Sequence, residues 1–172
     1  MRRLIRSFIT MTAMAAVAAF AAPESSAQVG PVPVCSISGF TTIDYGQGSG
    51  FIGPMVAHYS FNAADCAIDI KIEAPSCCNT YFQGFYLMFG TTPLPPGAFP
   101  LPSPPFWSGS DLLIIPDDAI GLFPGNTGSV MIPPNPQLPG MTFYLQNLGV
   151  YFTTIGFSTD YGVSQGTAIT FS

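Results

Sequence analysis

The chain has 172 residues, with 18 glycines, 18 prolines, only 8% charged side chains and a formal net charge of −5 at pH 7. Three of its four basic residues, Arg2, Arg3 and Arg6, open the sequence, which leaves Lys71 and a single histidine, His58, for everything that follows. That scarcity argues against nucleic acid and nucleotide binding, which need guanidinium or ammonium groups to neutralise phosphate. It also leaves hydrolytic chemistry with almost no base poised near neutral pH.

The first 27 residues read as a secretory signal. Arg2, Arg3 and Arg6 supply the positive start, and Ser7 to Ala22 is an uncharged, alanine-rich stretch too short for a membrane span of roughly 20 residues. Ser25 and Ala27 place small side chains before a cut after Ala27; cutting after Ala21 or Ala22 is the competing choice. The expected mature domain, residues 28–172, then carries Lys71 against eight acids, a net charge of −7, with no integral membrane segment. At 145 residues it is one domain.

In chain order, extended runs are expected at Cys35 to Thr42, Met55 to Asn62, Ala67 to Glu73, Tyr81 to Phe89, Leu112 to Ile115, Gly128 to Ile132, Met141 to Phe152 and Thr167 to Phe171. The clearest is Ala67-Ile68-Asp69-Ile70-Lys71-Ile72-Glu73, where isoleucines alternate with charges as in a strand with one wet face. Between Pro93 and Pro105 lie seven prolines, followed by Phe106-Trp107. This stretch reads either as a crossover packing over the core or as a rigid loop presenting aromatics. No helical stripe survives the prolines and glycines. Many short strands with frequent turn signals give an all-β, single antiparallel β-sandwich, jelly-roll-like or Greek-key, behind the signal peptide.

Four cysteines, Cys35, Cys66, Cys77 and Cys78, suit two disulfides in an exported chain. A vicinal Cys77–Cys78 bridge would close a strained ring, so the two patterns that pair Cys77 and Cys78 separately with Cys35 and Cys66 are favoured.

The segment from Ile132 to Gln146, with its Pro-Asn-Pro-Gln-Leu-Pro-Gly turn and Phe143-Tyr144-Leu145-Gln146 strand, resembles a pattern in uncharacterised secreted β-sandwich proteins of planctomycetes and related environmental bacteria. Tyr45 to Gly50, Phe85 to Gly90, Gly156 to Ser158 and Thr167 to Phe171 fit the same template, so the resemblance extends over about residues 40–172. Ser49 and Ser110 stand where such proteins often carry cysteine. The resemblance implies export and a sandwich fold, and brings no catalytic residues.

Candidate chemistry is sparse. His58 sits in an alternating run beside Val56 and Ser60, an ordinary strand position, and no nucleophile–base–acid set is discernible. Asp117 and Asp118 would point to opposite faces of extended backbone, unlike a glycosidase pair. Asp111, Asp117 and Asp118 are weak calcium candidates. Phe106 and Trp107 are candidates for stacking on a sugar ring. The expected function is a secreted or cell-surface, non-enzymatic structural or interaction module without cofactor, with the periplasm as the alternative destination. It would bind copies of itself or surface and matrix polymers through sheet edges and aromatic surface. The competing reading is a carbohydrate-binding module built on the proline-rich loop and Trp107.

Overall fold

The computed structural model describes residues 35–172; the signal peptide read over 1–27, and the cut after Ala27, lie outside the described residues. Among the described residues eleven strands follow one another: β1 (Phe40–Tyr45), β2 (Val56–Asn62), β3 (Ala67–Glu73), β4 (Thr80–Gly90), β5 (Thr92–Pro93), β6 (Ile114–Ile115), β7 (Asp118–Pro124), β8 (Thr127–Met131), β9 (Thr142–Thr153), β10 (Ser158–Val163) and β11 (Gly166–Phe171). Among the described residues there is no helix, hence none long and apolar enough to cross a membrane.

The fold is an antiparallel β-sandwich. The large sheet has the order β1-β11-β9-β4-β7, with β10 also on β9; the small sheet is β2-β3-β8. In β3, Ile68, Ile70 and Ile72 are buried while Lys71 and Glu73 are exposed, as the alternation requires. Each buried isoleucine contributes about 2 kcal/mol of hydrophobic stabilisation. They meet Phe85 and Leu87 of β4, Leu145 of β9, and Ile169 and Phe171 of β11 in a single core. Phe85 stacks on Phe123 of β7 at 5.1 Å between ring centres, and Phe40 reaches both Phe61 and Phe171 edge-on.

Strand β9 organises the large sheet. One edge pairs along its length with β4. The other edge is shared: Leu148–Thr153 pair with β10 and Thr142–Leu145 with β11. Val163 opposes Leu148 and Thr167 opposes Leu145, so β10 and β11 are one line interrupted by a bulge with one extra residue. There Ser164 donates its N–H to the Asn147 carbonyl at 2.9 Å, and its hydroxyl accepts the Asn147 N–H at 2.9 Å.

The bulge turns Gln165 away from the ladder and toward β2. Its Oε1 accepts the Ala57 N–H at 3.0 Å, and its Nε2 donates to the Ala57 carbonyl at 2.7 Å. One side-chain amide thus takes the place of a neighbouring strand and ties the small sheet to the large. Gln146, fully buried on β9, does the same outward. Its Oε1 accepts the Leu113 N–H at 2.9 Å, and its Nε2 donates to the carbonyls of Asp111 at 2.9 Å and Ser164 at 3.0 Å. The chain from Thr91 to Asp117 is thereby pinned on the outer face, where Leu113 and Ile114 are completely buried. The tip of this crossover bends round the free edge of β10. The Trp107 N–H donates to the Tyr161 carbonyl at 3.0 Å and the Tyr161 N–H to the Pro105 carbonyl at 2.9 Å. Ser49 completes the cover with two bonds to Val163, and a Cβ at the preceding Gly48 would run into the Met55 carbonyl.

Three strands exceed the expectation: β5, β7 and β10. Pro116-Asp117-Asp118-Ala119 reads as a plain turn, yet β7 begins at Asp118. As an edge strand with most residues exposed, β7 has no apolar period to betray it. The favoured disulfide patterns are overturned. Cys35 bonds to Cys66, and Cys77 and Cys78 are free. Cys66 precedes the first residue of β3, and Cys77 follows its last by four positions. Seven extended residues put those ends about 20 Å apart, well beyond a disulfide's Cα–Cα reach of roughly 7 Å.

Replacing Gln165 by alanine leaves the Ala57 N–H and carbonyl without their partner in a buried site. A loss of about 2–3 kcal/mol is expected, read by denaturant unfolding; a loss below about 0.5 kcal/mol would remove the amide from its bridging role. A second expectation concerns alkali. Burial pushes the phenols of Tyr45, helped by Tyr144, and of Tyr151 up to about 12. Burial raises Tyr59 further still, against the opposing hydrogen bond from Asn147. The buried form is the neutral one. The stability it contributes is complete below the unfolded value of 10 and is lost as pH rises from there toward 12. Phenolate absorbance followed with circular dichroism should therefore show late ionisation coinciding with loss of the fold; full ionisation of an intact sandwich at pH 11 would contradict it.

Candidate functional site

Strands β7 and β8 are joined by a tight turn at Gly125-Asn126, where Gly125 has φ +74°. The Gly125 N–H donates to the Gln83 carbonyl of β4, and Asn126 accepts from Ile72 of β3, so the turn is stitched to both sheets. From there β7 follows the large sheet along β4, and β8 follows the small sheet along β3. The two strands diverge in a V. Each is an edge, with no second ladder partner among the described residues.

An apolar cleft of about 280 Å³ opens between the sheets at the wide end of the V. Phe89 and Ile120 line its large-sheet wall, Val130 and Met131 its small-sheet wall, and Leu138 and Phe143 its floor. Met131 stands 69% exposed at the mouth. The Leu138 turn is the segment on which the sequence resemblance rests, so that motif shapes the cleft.

The proline-rich loop is neither a free arm nor a passage from one sheet to the other: it leaves β4 and returns to the neighbouring β7 of the same sheet, with Phe99 exposed, crossing only the outer face. Trp107 is half-buried, its ring 5.2 Å from Phe51 and 6.4 Å edge-on to Tyr151. Phe106 lies 5.6 Å from Tyr161. Phe106 therefore fastens the loop tip to β10, and the Trp107 ring fastens it to Phe51 and to Tyr151 of β9. The three aspartates are not brought together. Asp111 accepts the Gly97 N–H at 3.0 Å, Asp117 accepts the Thr91 N–H at 2.8 Å and its hydroxyl at 3.0 Å, and Asp118 accepts the Ala119 N–H at 2.7 Å. Each is engaged by a different part of the chain. Among the described residues no three His, Cys, Asp or Glu side chains converge as a metal site would require.

His58 lies on the solvent face of β2, opposite Lys71, with its Nε2 3.4 Å from an exposed Glu73 carboxylate. A shallow concavity of about 500 Å³ over the outer face of the small sheet includes His58, Ser60, Asp69, Lys71 and Ser129. Asp69 there is occupied by Ser129 at 2.7 Å and Asn62 at 3.3 Å. This is a polar, solvated face.

Composition had no means of revealing the cleft, which depends on β7 and β8 parting company. The sequence does carry one further signal: Thr154-Ile155-Gly156-Phe157 joins β9 to β10, with Ile155 70% and Phe157 81% exposed. Two large apolar residues beside a glycine between strands describe a hairpin tip that displays them.

The chain matches no family model, no curated protein and no solved structure.

Truncating Trp107 to alanine should cost about 2 kcal/mol of stability by loosening the loop tip. Thermal unfolding with retention on insoluble polysaccharide checks this. An unchanged melting temperature combined with lost retention would make Trp107 a binding residue instead of a fastening.

Proposed function

We propose that this chain is an exported, non-enzymatic structural or interaction module of the cell surface or extracellular matrix. It acts by associating through sheet edge and apolar surface, and the V between β7 and β8 is the contact. The observation that carries the reading is the pairing of two unsatisfied sheet edges with an apolar cleft between them. An extended segment laid into the V would gain backbone bonds from β7 or β8 and bury alternate side chains against Phe89, Ile120 and Met131.

Strand β1 is a further open edge, paired only with β11 among the described residues, but no apolar cleft adjoins it as one adjoins β7 and β8; two other edges are covered in part. The edge of β10 is covered by Ser49 and by Pro105 to Trp107, and β2 is blunted where Gln165 occupies Ala57. Protein edges left open usually carry lysine or proline as guards. Here β7 and β8 carry no lysine, and their single proline, Pro124, stands at the turn end away from the cleft. The Cys35–Cys66 bond fits an oxidising compartment, in keeping with export. The sugar-stacking reading has less support, because Phe106 and Trp107 are engaged with Tyr161, Phe51 and Tyr151.

Light scattering over a concentration series tests the reading, with Met131→Lys as the informative variant. Met131 is exposed, so the substitution leaves the core intact while placing a guarding charge at the mouth. Association should weaken about tenfold, equivalent to about 1.4 kcal/mol. A wild-type protein that stays monomeric in the presence of its own cell-wall and matrix fraction, and is not retained by it, would contradict the proposal.

A further inference from the structure

Cys77 and Cys78 lie at the opposite end of the sandwich from the cleft, in the turn between β3 and β4. Cys78 is exposed and Cys77 half-buried. Neither has a disulfide partner within the chain. Cys35 and Cys66 are bonded to each other. The bond between Cys77 and Cys78 is trans, which sets adjacent Cα atoms about 3.8 Å apart, short of the roughly 4.4–6.8 Å that disulfides span. The turn is also held in place: the Thr80 N–H donates to the Cys77 carbonyl at 3.0 Å, and the Asn79 carbonyl accepts the Thr154 N–H at 2.8 Å.

That last bond ties the β9–β10 hairpin tip, with exposed Ile155 and Phe157, to the turn that carries the thiols, and half-exposed Tyr81 follows the same turn at the start of β4. No Asp, Glu, Lys or Arg occurs in residues 74–82 or 152–159, on a chain that is otherwise acidic. The charges that border these stretches are Glu73 and Asp160, and the Asp160 carboxylate is engaged by the Ser158 hydroxyl at 3.2 Å. A patch of exposed apolar tips with an exposed thiol in it suits a second copy of itself: two identical patches meet about a two-fold axis, each supplying the sulfur the other needs.

We infer that Cys78 is a covalent self-assembly site, at which two copies of this chain are joined through an interchain Cys78–Cys78 disulfide seated in the Tyr81, Ile155 and Phe157 patch. The oxidant is a disulfide, small-molecule or protein-borne, of the exported compartment. The Cys78 thiol loses its proton, and the thiolate attacks one sulfur of that disulfide. A mixed disulfide forms and one thiolate leaves. Cys78 of the second copy, likewise deprotonated, attacks the protein-side sulfur, forms the interchain bond and expels the second thiolate. Two protein thiols are oxidised, one external disulfide is reduced to two thiols, and the two protons pass to them. Cys77 is the slower competitor for the mixed disulfide. Its thiol is held above the usual cysteine range, first by the hydrogen bond to the Cys78 sulfur and then by burial and repulsion between the two sulfurs. This site is separate from the β7–β8 cleft, so the two readings fail independently.

The test is to incubate the purified full chain with oxidised glutathione and follow it by non-reducing electrophoresis and intact mass. The expected product is a dimer lighter than two chains by the two hydrogens of the new bond, reversed by dithiothreitol. It should be lost in Cys78→Ser and retained in Cys77→Ser, with unchanged circular dichroism in both. A monomer lighter by two hydrogens, a monomer that keeps glutathione on Cys78, a chain with both thiols unreacted, or a dimer that survives Cys78→Ser would each overturn the inference. Non-covalent oligomers that persist in dithiothreitol, and in Cys78→Ser, without any covalent dimer would overturn it and leave the cleft reading standing.

Discussion

Two side-chain amides hold this sandwich in register across its three layers. Gln165 completes the hydrogen bonding of Ala57 in the small sheet, and Gln146 completes that of Leu113 in the outer crossover. Both operate from the same place, the one-residue bulge at Ser164, whose carbonyl Gln146 also holds. Buried backbone groups must be paired, and a loop laid over a sheet face has no ladder to pair with. A glutamine supplies one donor group and one acceptor in fixed geometry, which is what a single strand residue would offer. Neighbouring Asn147 extends the set inward, donating to the Tyr59 hydroxyl at 2.5 Å. Remove these amides and the crossover, the bulge and the small sheet lose their common anchor.

The arrangement explains why this chain manages with so few charges. Its polar interior is neutral: amides and hydroxyls bond to backbone groups and to each other, as Thr80 does with Thr153 and Thr142 with Thr170. Neutral groups avoid the large desolvation cost of buried ions. The acids instead accept hydrogen bonds at the surface, as Asp117 does from Thr91 and Asp69 does from Ser129. The same economy of charge leaves edges and tips without guards, and those unguarded places are where association is proposed.

Much of the sandwich was legible because hydrophobic period and turn residues agree wherever one face is buried and the other wet. Ile68, Ile70 and Ile72 show this directly. What escaped had a different physical character. Strand β7 is wet on most sides, and β10 is short and bounded by the bulge, so neither carries a period. Gln146 and Asn147 are consecutive polar residues in a strand buried on both faces, and in a one-dimensional pattern they look like a solvent-facing step. Their adjacency within the apolar run from Met141 to Phe152 was the available clue. Cysteine pairing depends on which ends of β3 the residues occupy, and the cleft depends on where two edge strands separate. Both are properties of topology.

The measurement that bears most directly on this account is native-state hydrogen exchange at two backbone amides, those of Ala57 and Leu113. Both N–H groups are donated to side-chain oxygens and not to a backbone ladder. If the amides of Gln165 and Gln146 bind the layers together, these two protons exchange only with global unfolding, as slowly as those of Leu87 and Leu145 in the central strands. If they exchange at the rate of an exposed loop, the layers are held by hydrophobic contact alone and the amide account is wrong.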